Sequence, residues 1–155
     1  MDKNSRGLSM VELVVASAIL SLFLVALSLS YVAFLRLASV NLNSVKATFL
    51  AEEGIEAVRF LKDADWQNIA SLNTGLNYHL NFTGLSWQIV SNETLIDGFS
   101  RSLIFENVFR DSNGKIVESG GTLDQGSRKL SVSVSWLSGG ATTTTRSIST
   151  YIADI

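Results

Sequence analysis

Cysteine and proline are both missing from this chain of 155 residues, and histidine occurs once, as His79. Without cysteine there is no disulfide, no thiol nucleophile and no thiolate metal site. That absence assigns no compartment, because disulfides are optional in exported proteins. Without proline, no helix here is kinked by a pyrrolidine ring. A lone histidine rules out multi-histidine metal sites and two-histidine mechanisms. Charge of either sign is nearly absent from one long stretch: between Arg6 and Arg36 the only charged residue is Glu12. Over the whole chain the formal charge is −2, with no bias towards nucleic acid or a charged polymer as partner.

What fills that stretch is hydrocarbon. Residues 13–35 are all apolar or small, and as a helix they would extend about 34 Å at roughly 1.5 Å per residue. A bilayer core of about 30 Å is spanned by that length. It exceeds the apolar region of a secretory signal, about 7–15 residues, and no small-residue cleavage site closes it. Lys3 and Arg6 precede the run, so the positive-inside tendency puts the N-terminus in the cytoplasm and later residues beyond the membrane. Tyr31 fits an interfacial anchor. Ser17 and Ser21, beside Ala16 and Ala18, form a small-xxx-small patch that permits close helix approach in lipid. Glu12 stands out, since a carboxylate in a bilayer costs on the order of 3 kcal/mol unless something neutralises it.

The leader "MDKNSRG" is polar and basic, ends in Gly7, and is followed at once by Leu8 and the apolar run, with Glu12 five places after the glycine. In these features the sequence resembles the type IV pilin family, including the pseudopilins of type II secretion. The resemblance implies that a prepilin peptidase/methyltransferase cuts between Gly7 and Leu8 and methylates the new amine of Leu8. It implies storage in the cytoplasmic membrane, contact with lipid before assembly, and delivery by a pilus assembly platform into an extracellular filament of other pilin subunits. No catalytic constellation supports an enzyme, and no cofactor is assigned. The new amine is cationic near neutral pH, so Glu12 of one subunit is expected to pair with Leu8 of its neighbour, which removes two solvation penalties and sets register. The first-turn position of Glu12 also suits the helix dipole. Alternatives are a minor pseudopilin, or an uncleaved single-pass protein displaying a small β-domain.

Beyond Arg36 the apolar residues take helical spacing (Leu37, Val40, Val45, Phe49, Leu50, Val58, Leu61, Ile69) with charges between them. One helix is expected over residues 8–72, stopping near Gly75. The runs "YHLNF", "LSWQIV", "RSLIFENVFR", "KIVES", "KLSVSVSW" and "TRSISTYIADI" read as strands. "KLSVSVSW" places Leu130, Val132, Val134 and Trp136 on one face. "RDSNGK" signals a tight turn joining 105–110 to 115–118, and "SGGTLDQGS" and "LSGGATTTT" read as loops. The expected fold is α+β, a long N-terminal helix packed on a small antiparallel sheet. Its parts are a leader (1–7), an apolar membrane or filament-core helix (8–35), an amphipathic helix (36–75) and a β-sheet head (76–155). So small a head has a thin core, so the stripe from 37 to 69 should supply its missing wall. The stretches "LAEEGIEAVRFLKDADW" and "DGFSRSLIFENVFRDSNGKIVESGGTLDQGSRKLSVSVSW" resemble pilin-like proteins of minor-pilin type.

Other chemistry has little support. Asp63 with Asp65, and Asp111, Asn113 and Asp124 near Glu118, offer oxygen ligands, but "DSNGK" lacks a calcium-loop spacing and turns use Asp, Asn and Gly for backbone reasons. No metal ligand is assigned. His79 near serines has no triad geometry and reads as a strand histidine facing solvent. "NFT" and "NET" fit the N-glycosylation pattern, but for a bacterial protein, which the leader suggests, chance is the simpler reading of the match. No glycine-rich phosphate loop precedes a helix, and no catalytic residue is assigned.

Overall fold

The computed structural model describes residues 9–138 and 142–154. They divide into two compact units, Met1–Leu42 and Asn43–Ile155. Helix α1, Met10–Ala64, contributes residues to both. The rest belongs to the second unit: a short α2 (Gln67–Ala70) and strands β1 (Asn77–Thr83), β2 (Ser86–Val90), β3 (Leu95–Ile96), β4 (Phe99–Arg110), β5 (Ile116–Val117), β6 (Thr122–Ser138) and β7 (Thr142–Ala153). The architecture is α+β, as the sequence suggests.

The sheet is antiparallel with order β2-β1-β4-β6-β7, and the short β3 and β5 also pair with β4. The expected "RDSNGK" hairpin exists, but only as Phe109↔Val117 and Arg110↔Ile116. The main partner of β4 is β6. Alternation in β6 works as its sequence indicates: Leu130, Val132, Val134 and Trp136 are buried. On the opposite face serines meet across strands, with Ser131 to Ser149 at 2.9 Å and Ser133 to Ser147 at 2.7 Å.

Three local expectations are corrected. Helix α1 ends at Ala64 rather than near Leu72. Asp65 and Asn68 compete for the backbone there: Gln67 N–H donates to Asp65 Oδ1 at 2.9 Å, and Asn68 Nδ2 donates to the Leu61 carbonyl at 3.0 Å. Gly75, at φ +78°, leads into β1 and donates its N–H to the Phe105 carbonyl. "SGGTLDQGS" is not all loop, because β6 begins at Thr122. Its pairing with β4 shifts at Asn107/Val108, a bulge where the Asp124 carboxylate accepts the Gly126 N–H and the Arg110 Nε–H.

The third correction concerns the wall of the core. Of the expected stripe, Val58 and Ile69 are buried and Leu50 and Leu61 pack at the margin. Val45 and Phe49 are exposed, Phe49 by 66%. The face of α1 that meets the sheet is instead lined by Ala47, Ala51, Gly54, Ile55 and Val58. Small residues let the helix axis come close to Leu103, Val132 and Val134, which large side chains would hold off. A Cβ on Gly54 would lie 3.0 Å from Val132 Cγ1 and 3.1 Å from Arg101 Cδ.

Candidate assembly and processing site

Ser9 is non-helical and its carbonyl accepts the Leu13 N–H at 3.1 Å, the first turn of α1. Glu12 lies in that turn, where the orphan N–H groups carry partial positive charge. Its side chain is exposed and has no ion-pair partner among the described residues. Gly7 and Leu8, the expected cut site and methylation site, lie outside the described residues.

Among the described residues, nothing covers the helix around Glu12. Leu13, Ile19, Leu22, Phe23, Leu29 and Phe34 are all more than half exposed. The segment is long and apolar enough to cross a membrane, and none of its apolar window is buried by the protein. Its hydroxyls are reconciled with an apolar surround by the helix itself. Ser17 Oγ donates to the Val14 carbonyl at 2.9 Å and Ser21 Oγ to the Ser17 carbonyl at 2.8 Å, with Ser28 and Ser30 bonded in the same way. Each serine is thereby small and internally satisfied, which suits close helix packing in lipid.

The second unit shows where the remaining polar residues go. His79 is not solvent-facing as expected: it is buried, and its Nδ1 lies 2.8 Å from the Arg101 carbonyl. A carbonyl only accepts, so Nδ1 carries the proton. Asp111 Oδ1 accepts the N–H groups of Asn113 and Lys115, which accounts for it as a turn residue. Asp124 is held by Arg110, whose hydrogen bond keeps its carboxyl below the usual carboxylate range.

Sequence reasoning missed Arg101. It occupies an inward position of β4, is 2% exposed, and sends Nη1 to the Leu50 carbonyl at 3.0 Å and to Glu53 Oε2 at 3.1 Å. Its guanidinium carbon sits 5.5 Å from the centre of the Trp87 ring. Burial pulls its pKa down, and Glu53 opposes that pull. The period-2 pattern of "FSRSLIF" does place Arg101 in line with Phe99 and Leu103, the one signal that it points inward.

Comparison with known families bears on the first unit alone. The family model for the prokaryotic N-terminal methylation motif matches residues 2–28, which include Gly7, Leu8 and Glu12. No curated protein and no solved structure matches the chain. Such a motif implies a prepilin peptidase and other pilin subunits as partners in general, and the apolar helix behind it makes the chain a membrane-anchored precursor. That motif, leading into an apolar helix in an α+β fold, supports a type IV pilin or prepilin for this chain.

Proposed function

We propose that this chain is a structural subunit of a type IV pilus-like filament. It is cut between Gly7 and Leu8, methylated on the Leu8 amine, and assembled outside the cell through residues 8–35, with residues 76–155 as its displayed head. Glu12 pairs with the Leu8 amine of the neighbouring subunit. The observation that carries the reading is Glu12 itself, an exposed carboxylate in the first turn of an apolar helix, unpaired among the described residues and inside the matched motif. In lipid such a group costs on the order of 3 kcal/mol, and a neighbour's new amine removes that cost only after the leader is gone. Processing and assembly are therefore coupled by electrostatics.

The test is N-terminal mass analysis of the protein from sheared surface fibres and from membranes. A mature chain beginning at N-methylated Leu8 in the fibres is the expected result. Intact 1–7 in both fractions defeats the proposal. Processed protein confined to the membrane fraction favours a pseudopilin over a surface pilus.

A further inference from the structure

The β1–β2 hairpin closes with a two-residue turn, Gly84-Leu85, between the paired Thr83 and Ser86. Both turn residues have positive φ, +64° and +70°, the geometry that matches strand twist and favours Asn, Asp or Gly. The β3–β4 turn of the same protein uses the usual residues, Asp97 at φ +50° and Gly98 at +83°. Leucine in the left-handed region is strained, and Leu85 is also 91% exposed. No contact among the described residues repays either cost. Around it stand exposed Phe82 and Phe60, with Trp87 behind, and the carboxylates Glu53 and Glu56 at the edge. Arg101 and Arg59 engage one oxygen of each carboxylate.

Elsewhere on the same unit is a groove of about 260 Å³, walled by Phe49, Leu50, Ile96 and Phe99. Lys46 sits at its rim with no ion-pair partner among the described residues, and Asp97 lies beside it. One patch is thus an apolar projection edged by acid, and the other an apolar hollow edged by Lys46, unpaired among the described residues, and by Asp97. On α1 the hollow begins at Lys46 and the acidic edge lies at Glu53 and Glu56, 7 to 10 residues further on. That separation is about 10–15 Å along a helix.

We propose that Leu85 of one subunit inserts into the Phe49–Phe99 groove of a second copy, displaced by about 10–15 Å along the α1 direction, with Lys46 of the second copy facing Glu53 and Glu56 of the first. Because the two patches differ, the contact is heterologous, and repeating it yields an open chain of subunits rather than a closed dimer. It rests on the reading of the protein as a filament subunit and adds to it a contact between heads, separate from the pairing at Glu12.

The chain has no cysteine, so introduced thiols report without background. Full-length protein carrying both Leu85→Cys and Phe49→Cys, in sheared filaments treated with a short bis-maleimide, should give a ladder of covalent multimers. Each single variant should stay uncrosslinked. Efficient dimers from Leu85→Cys alone would mean that hairpin tips meet each other, and would overturn the proposal. So would filaments of chains starting at Leu8 in which the double variant remains monomeric, a result that leaves the filament reading standing. Absence of any processed filament removes both. As a second measure, Leu85→Gly relieves the strained turn, so thermal unfolding should be unchanged or raised while filament recovery falls about tenfold, the scale of losing one buried leucine. Undiminished recovery refutes the insertion.

Discussion

Replacing Arg101 tests what a buried cation contributes to this fold. Its polar contacts are imperfect. Glu53 is 48% exposed, so the ion pair is worth at most about 1 kcal/mol. The Leu50 carbonyl faces the Gly54 N–H along the helix, so losing Arg101 does not orphan it. Arg101 Nε is buried without a partner, a defect worth about 1–3 kcal/mol. These terms nearly cancel. The alkyl stem is different: it is buried against Gly54 of α1, and truncating it leaves a cavity costing about 2–4 kcal/mol. Arg101→Met keeps most of that stem and should unfold within about 1 kcal/mol of the parent, while Arg101→Ala should lose about 2–4 kcal/mol. The assay is urea unfolding of the full chain in detergent followed by tryptophan fluorescence, since Trp87 stacks on the guanidinium. If the Met and Ala variants lose the same several kcal/mol, the hydrogen bonds rather than the stem hold α1 to the sheet, and the reasoning is wrong.

Three further outcomes are expected. Gly54→Ala gains about 1 kcal/mol of helix propensity but sets a methyl 3.0 Å from Val132 Cγ1. Overpacking of about 1–3 kcal/mol should win, so its unfolding midpoint should fall, and a rise would show that α1 can shift outward freely. The carboxyl of Asp124 titrates below its ordinary value in the folded state, chiefly through its hydrogen bond with Arg110. Its stabilising effect is therefore full above the unfolded carboxylate value of about 3.9 and is lost as pH falls through the lower folded value. Parent and Asp124→Asn should differ in melting temperature at neutral pH and converge in acid, and a gap that persists in acid counts against this linkage. Glu12→Gln should leave the protein inserted and folded but depleted from sheared fibres, and parental fibre levels would count against the pairing of Glu12 with the neighbour's amine.

Legibility in the sequence tracked how local each cause is. The apolar segment announces itself, because crossing a bilayer demands a long uninterrupted run and a single carboxylate interrupts it visibly. The alternation in "KLSVSVSW" is equally direct, since one face of β6 is core and the other is serine. Helix α1 beyond residue 42 was harder to read. Its large apolar residues suggest one buried face, yet Val45, Phe49 and Phe60 are exposed and the contact is made by Ala47, Ala51 and Gly54. Pattern reading weights residues by hydrophobicity, whereas close helix–sheet packing selects for small volume, so on this part of α1 the two agree at Leu50, Val58 and Leu61 and part at Val45 and Phe49. The early end of α1 and the bulge at Asn107/Val108 depend on side chains of Asp65, Asn68 and Asp124 capturing particular backbone groups, which spacing alone does not specify.

The exposed side of α1 in the second unit then acquires a physical reason. A helix that meets its sheet largely through alanine and glycine, with Ile55 and Val58 as its larger buried side chains, contributes modest apolar area of its own, about 25 cal/mol per Å² being the usual return on burial. The residues able to contribute more, Phe49 and Phe60, are left in solvent at 66% and 60% exposure. An isolated head gains nothing from that arrangement, and swapping Phe49 for alanine should barely alter its unfolding. In the proposed filament the same rings would be a surface on which a neighbour is held. On the proposed filament reading, the aromatic rings of α1 left out of the core, Phe49 and Phe60, are available for contacts between subunits, while Ala47, Ala51, Gly54, Ile55 and Val58 fold the subunit. A Phe49→Ala chain as stable as the parent yet poorly incorporated into fibres has the behaviour this division requires. A chain that unfolds readily but still assembles would show that the division is illusory.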